Sequence, residues 1–144
     1  MEKNYLSTEE EKIYSLWGDS GAFTPKIDKN KKPYSIILPL PNANDPMHMG
    51  HALFTIEDIL VRYHRMLGDP TLWLPGGDHA GIETQFVFEK KLAKEGKSRF
   101  DYDRNTLYEM IKKFAEENRD LNKDQMKKLG FSLDWSRYHY SMEP

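Results

Sequence analysis

At 144 residues, with 38% hydrophobic and 31% charged residues, the chain is long enough for one domain with a buried core, and its composition is that of an ordinary globular protein. A formal charge of −2 excludes bulk electrostatic attraction for nucleic acid, so any RNA contact must be local. Zero cysteines exclude a disulfide framework and thiolate zinc sites, and Met1-Glu2-Lys3-Asn4-Tyr5 lacks the apolar centre of a signal peptide. With no run of membrane-spanning length, the expectation is a soluble, cytoplasmic protein.

Ser7 with Glu10 and Thr8 with Glu11 form overlapping capping-box patterns ahead of Ile13, Leu16 and Trp17, which share one helical face. They predict a short lead-in helix ending at Gly18. A polar, Lys-rich loop over residues 21–33 leads to Tyr34-Ser35-Ile36-Ile37-Leu38, an apolar run bounded by Pro33 and Pro39 that predicts a buried strand. Met49, Leu53, Ile56, Leu60, Tyr63 and Leu67 then alternate spacings of four and three, with Glu57, Asp58, Arg62 and Arg65 off the stripe. This is an amphipathic helix stopped by Gly68, its apolar stripe expected inward. Thr71-Leu72-Trp73-Leu74 reads as a second strand, so residues 34–74 make a βαβ unit with parallel strands and a right-handed crossover.

Two more helices follow. Residues 81–95 carry Ile82, Phe86 and Leu92 inward and close at Gly96, and residues 105–129 place Leu107, Ile111, Phe114, Leu121 and Leu129 roughly on one side. Lys123, Lys127 and Lys128 read first as a solvated face, with contact to an RNA backbone as the alternative. Gly96-Lys97-Ser98 resembles the end of a phosphate loop, but Lys91 stands where that loop needs its first glycine, and the segment follows a helix instead of opening one. It reads as a helix stop.

The chemistry concentrates in two segments. His48-Met49-Gly50-His51 opens the helix after the first strand, where backbone N–H groups are unpaired and the dipole is positive, so both imidazoles can donate to phosphate oxygens. Gly50, without a side chain, lets a nucleotide's base and ribose lie against the backbone; the plainer alternative is that the histidines only cap the helix. Pro39 and Pro41 hold the strand exit extended, and Asn42 and Asn44 supply amides there. In Pro75-Gly76-Gly77-Asp78-His79-Ala80-Gly81, Asp78 lies just past the second strand, where open α/β sheets bind ligands. Its carboxylate suits an α-ammonium group, although it could instead cap the next helix. His79 and Gln85 carry less specific signals. A zinc site from His48, His51 and His79 is disfavoured because no supporting ligand spacing accompanies it.

Taken with Leu38-Pro39-Leu40-Pro41-Asn42-Ala43-Asn44-Asp45-Pro46-Met47, the first segment resembles the first signature of class I aminoacyl-tRNA synthetases. Asp78-His79-Ala80-Gly81-Ile82-Glu83-Thr84-Gln85 resembles the valyl branch of that family, and Leu129-Gly130-Phe131-Ser132-Leu133-Asp134-Trp135-Ser136-Arg137 agrees. The resemblance implies an α/β, Rossmann-like nucleotide-binding half: a parallel βαβ unit with a lead-in helix and additional C-terminal helices. Residues 1–33 are then a lead-in, and residues 34–144 are the first part of a catalytic domain, ending before an editing insertion. It also implies ATP with Mg²⁺, valine and tRNA(Val) as substrates, with tRNA held mainly by regions outside these residues. His48 and His51 become catalytic, and Asn44, His48, Gly50 and His51 face ATP. Leu40, Pro41, Asn42 and Asp78 face the amino acid.

In that family's usual pattern, proline stands where this chain has Leu40 and glycine where it has Asp45. The charge of Asp45 is accommodated if it acts as helix N-cap with Pro46 at the first helical position. A Lys-Met-Ser-Lys-Ser type loop is absent from these residues, so a non-catalytic module is one rival reading, and a related nucleotidyltransferase sharing the His-x-Gly-His helix is another.

Overall fold

The computed structural model describes residues 7–143, so the Met1–Tyr5 stretch read for a signal peptide lies outside the described residues. The elements run α1 (Thr8–Asp19), β1 (Tyr34–Ile37), a 3₁₀ turn (Met49–Ala52) flowing into α2 (Leu53–Met66), β2 (Thr71–Leu74), β3 (Gly76–Gly77), α3 (Gly81–Lys94), a 3₁₀ turn (Arg99–Asp101), α4 (Arg104–Lys128), a 3₁₀ turn (Trp135–Arg137) and β4 (His139–Tyr140). β1 and β2 pair in parallel, Tyr34 opposite Thr71 and Ile37 opposite Leu74, as a βαβ unit requires. β3 pairs in parallel with β4, and a bridge joins Asn42 to Asp78. The result is a Rossmann-like parallel sheet flanked by helices, with the lead-in helix before it and further helices after it.

The core lies between the sheet, α2, the end of α4 and the segment after it. Leu38, Val61, Trp73 and Leu133 have no exposed surface, and Phe54, Met126 and Phe131 close around them. Each such side chain contributes on the order of 1.5–3 kcal/mol of burial. A smaller cluster of Ala43, Ala115 and Tyr140 sits beneath the loop after β1.

Several sequence expectations are corrected by the packing. The apolar stripe of α2 faces outward, with Met49 at 87%, Ile56 at 56% and Leu67 at 55% exposure, while Phe54, Asp58 and Val61 are buried. Asp58 is buried at a polar position because its charge is fully paired. It accepts from Arg62 Nε at 2.7 Å, from Ser132 N at 3.0 Å and from Ser132 Oγ. Arg62 also donates to Gly130 O, and Arg65 donates to Phe23 O and Ser132 O. Burial pushes the Arg65 guanidinium below its usual range, opposed chiefly by the Asp58 charge. This network ties α2 to residues 130–132 and takes the face that hydrophobic periodicity assigns to solvent.

In α1, Ile13, Leu16 and Trp17 are exposed, and the helix docks through Tyr14, whose hydroxyl donates to Phe131 O and accepts from Trp135 Nε1. Neither capping box forms, because Ser7 has helical dihedrals and its hydroxyl caps nothing. β1 is covered on one side only: Leu38 beyond it is buried, but Ile37 is 68% exposed. Along α3 the inward residues are Thr84, Phe88 and Leu92, with Ile82 and Phe86 exposed. Along α4 they are Ala115, Asn122 and Met126, with Leu121 and Leu129 exposed. Gly96, at φ 72°, ends α3 as expected, and Ser98 caps the following 3₁₀ turn.

Lys123 lies 4.2 Å from the Tyr138 ring centre, Lys127 5.5 Å from that of Trp135, and the Arg119 guanidinium 5.2 Å from that of Tyr140. These cations, four residues apart on α4, hold the segment carrying β4 against the helix, so two of the three clustered lysines stack on aromatic rings. Burial pushes the Tyr138 hydroxyl up to about 12.

Candidate active site

The loop after β1 and the loop after β2 leave the same end of the sheet side by side. Asp78 N donates to Pro41 O at 3.1 Å and Ala43 N donates to Asp78 O at 2.7 Å, so residues 41–43 continue the ladder next to Asp78. Side chains pack closely on the two glycines here. A Cβ on Gly77 would stand 2.5 Å from Tyr138 Oη, and one on Gly76 would stand 2.6 Å from Leu40 Cδ2. Leu40, Pro41, Asn42 and Asp78 are thereby gathered at one place: Leu40 exposed against Gly76, Pro41 buried, Asn42 and Asp78 half-buried. Asn44 is half-buried in the turn that follows.

The Asp78 carboxylate is held by hydrogen bonds on Oδ1, from Ala80 N at 3.1 Å and from Ser141 Oγ at 2.9 Å. These donors, the Ala80 amide first, keep its carboxyl below the usual carboxylate range against a smaller opposing effect of burial. Ser141 Oγ also lies 2.8 Å from His79 N and 2.7 Å from His79 Nδ1. Asp78 does not serve as N-cap of α3. That position is Ala80, in the left-handed region at φ 49° and without a side-chain cap, its carbonyl accepting from Glu83 N and Thr84 N. Sequence reasoning missed Ser141, since nothing in the sequence marks a serine more than 60 positions away as its partner. Gln85 bonds Glu89 along its own helix.

At the start of α2 the histidines cap each other's turn. His48 is the N-cap: its Nδ1 accepts from Gly50 N at 3.0 Å, while His51 Nδ1 accepts from His48 N at 3.0 Å. Asp45 is exposed and lies outside this cap, which corrects its expected role, because His48 supplies the acceptor that the first turn needs. A backbone N–H can only donate, so in the neutral His48 ring Nδ1 is the acceptor and the proton is assigned to Nε2, whereas His51 Nδ1 also lies 3.2 Å from His48 O, to which it donates in the other tautomer. Capping therefore holds the two rings 4.4 Å apart, with an Nε2–H donor assigned to His48. Gly50 also has an internal reason: a Cβ there would stand 2.7 Å from His48 Cε1. Among the described residues no group of three or more His, Cys, Asp or Glu is arranged to hold a metal ion.

The sequence matches the family of tRNA synthetases class I (I, L, M and V) over residues 12–144, and the chain belongs to that family. Within it, the sequence sides with the valine–tRNA ligases. It is 45% identical to the valine–tRNA ligase of Dehalococcoides mccartyi over all of this chain and 17% of that one. It is 46% identical to the chloroplastic/mitochondrial valine–tRNA ligase 2 of Arabidopsis thaliana, over 98% of this chain and 15% of that one. The chain thus spans 15–17% of the length of these relatives. The fold is similar to that of the agnB2 LeuRS of Agrobacterium radiobacter K84, solved in a ternary complex with tRNA and LeuAMS. That likeness has a TM-score of 0.75 and 20% identity, covering 95% of this chain and 16% of that one.

Proposed function

We propose that these residues form the amino-acid and α-phosphate side of a valine–tRNA ligase active site, in which valine is activated by ATP and then passed to tRNA(Val). The observation that carries this reading is the placement of Asp78 beside Asn42 at the carboxyl ends of β1 and β2, its carboxylate oriented by Ala80 and Ser141. An ionised carboxylate so held receives an α-ammonium group by a charge-assisted bond and turns the substrate's own carboxylate toward ATP. That carboxylate oxygen attacks the α-phosphorus, a new P–O bond forms, the bond to the bridging oxygen breaks, and pyrophosphate leaves. His48 and His51 supply Nε2–H donors to phosphate oxygens whose charge shifts in this displacement, where positioning and electrostatics dominate. Mg²⁺ arrives on the nucleotide's phosphates as part of the substrate. Transfer to a tRNA ribose hydroxyl follows, with tRNA held mainly by regions outside these residues.

Residues 34–144 are read as the opening of the catalytic domain, ahead of an editing insertion, and residues 1–33 as its lead-in. The cysteine-free composition suits a cytoplasmic setting. The test is a chimaera in which residues 12–144 replace the matching segment of the Dehalococcoides mccartyi valine–tRNA ligase, assayed for amino-acid-dependent ATP–pyrophosphate exchange. Exchange should depend on valine in preference to isoleucine, leucine or methionine. A preference for one of those three, or no exchange by a folded chimaera, would overturn the reading.

A further inference from the structure

The loop joining the two halves of the candidate site is held by one helix at both ends. Asn122 on α4 donates from Nδ2 to Asn42 O at 3.2 Å, at the end of the loop that lies beside Asp78. Gln125, three residues along the same helix and so on the same face, accepts from Met47 N at 2.9 Å, at the end that enters the His48 cap. Asn122 is 3% exposed, and its Oδ1 is a buried polar atom with no partner among the described residues. An apolar side chain at this position would spare the unpaired Oδ1 but leave the Asn42 carbonyl without its donor, so the amide is retained at the cost of one unpaired atom. What the amide supplies is a donor fixed on the Asn42 carbonyl.

Building on the valine–tRNA ligase reading, we infer that Asn122 and Gln125 are positioning residues that set the separation between the amino-acid site at Asp78 and Asn42 and the phosphate donors His48 and His51. They touch neither ligand. Their effect lies in the approach of the substrate carboxylate to the α-phosphorus, and such in-line reactions are sensitive to displacements of about 1 Å. Other bonds on the loop, from Ala43 N to Asp78 O and from Asn42 Nδ2 to Glu83 Oε2, fix only the Asn42 end. At the Met47 end the side chain of Met47 packs against the core, and Gln125 supplies the hydrogen bond that sets the backbone there. Glutamate at 125 keeps the length and the acceptor oxygen, whereas alanine removes both. Aspartate at 122 keeps the shape and removes the donor.

The experiment compares Gln125→Ala, Gln125→Glu, Asn122→Ala and Asn122→Asp in the chimaera for pyrophosphate exchange and thermal melting, and follows amide hydrogen exchange at Met47 in the 144-residue chain itself. Gln125→Ala should lower kcat about tenfold, as expected for one lost positioning bond, with KM for valine unchanged. Met47 N–H should lose protection in the same variant, and Gln125→Glu should restore both kcat and protection. Both Asn122 variants should raise KM for valine, because Asn42 borders the ammonium site. Equal impairment by Gln125→Glu and Gln125→Ala, or a kcat loss that merely tracks melting temperature, would overturn the inference. An active parent with indifferent variants removes the clamp alone. A folded but inactive parent removes the valine–tRNA ligase reading and the inference with it.

Discussion

Replacing His48 with alanine removes two contributions of different size. Its Nδ1 accepts the Gly50 N–H as the N-cap of the turn, and deleting an N-cap acceptor costs about 1 kcal/mol of stability. Its Nε2–H, on the proposed mechanism, meets an α-phosphate oxygen in the transition state, and loss of one such preorganised donor lowers kcat by about 10²–10³. His48→Ser separates the two, because serine is a good N-cap residue but brings no imidazole N–H to the phosphate. Urea unfolding should place His48→Ser within about 0.5 kcal/mol of the parent and His48→Ala about 1 kcal/mol below it. Valine-dependent pyrophosphate exchange in the chimaera should fall by about 10²–10³ in both variants, with little change in KM for valine. If His48→Ser recovers exchange to within a few-fold of the parent, the imidazole acts only as a cap and the catalytic assignment fails.

Asp58→Ala should destabilise the chain by about 3 kcal/mol, the lower end of the range for breaking a buried pair, since Arg62 keeps 38% of its side chain in solvent. A urea midpoint shift worth under about 1 kcal/mol would show that the network does not hold α2 in place. The Asp78 carboxyl should titrate below the ordinary value of 3.8 and move upward in Ser141→Ala. A depressed pKa stabilises the fold at pH values above 3.8, and that contribution is lost as pH falls through the folded-state value; NMR titration of the carboxyl carbon reads the midpoint, and an unshifted midpoint in both proteins would refute the assigned hydrogen bonds. The 144-residue chain alone, with the α2 stripe of Met49, Ile56, Leu60 and Leu67 exposed, should self-associate or bind an apolar dye, bind ATP weakly and not charge tRNA. Robust valyl-tRNA formation by a monomeric sample would refute this.

Which segments form helices and strands is legible in the sequence because their signals are local. Pro33 and Pro39 bracket β1, Gly68 and Gly96 stop helices with positive φ, and the apolar spacing of α2 has a helical period whichever face it turns inward. That Asp78 follows β2, and that His48 and His51 sit at the turn entering α2, is legible for the same reason. The mutual capping of the two histidines is not, although their spacing permits it, because imidazole is an uncommon N-cap. The general preference of aspartate for caps points instead to Asp45, which loses the role to the residue that has the geometry.

Tertiary structure alone decided which helix faces are buried and what holds the site. The spacing of apolar residues reports where they lie on a helix, not what they will meet, so it points the α2 stripe inward. The Asp58 carboxylate, satisfied by Arg62 and Ser132, takes the inner face instead. Ser141 under Asp78, and Asn122 and Gln125 against the loop after β1, act across separations of 63, 80 and 78 residues, and sequence spacing carries no record of contacts formed only when the chain folds back on itself. The sequence by itself determined the four helices, β1 and β2, whose signals depend on neighbours within a turn or a strand, and the βαβ rule supplied their parallel pairing; β3 and β4, two residues each and paired across more than 60 positions, were decided by the fold. The orientation of the chemical groups at the sheet's edge waited on the packing of α4 and β4 against them.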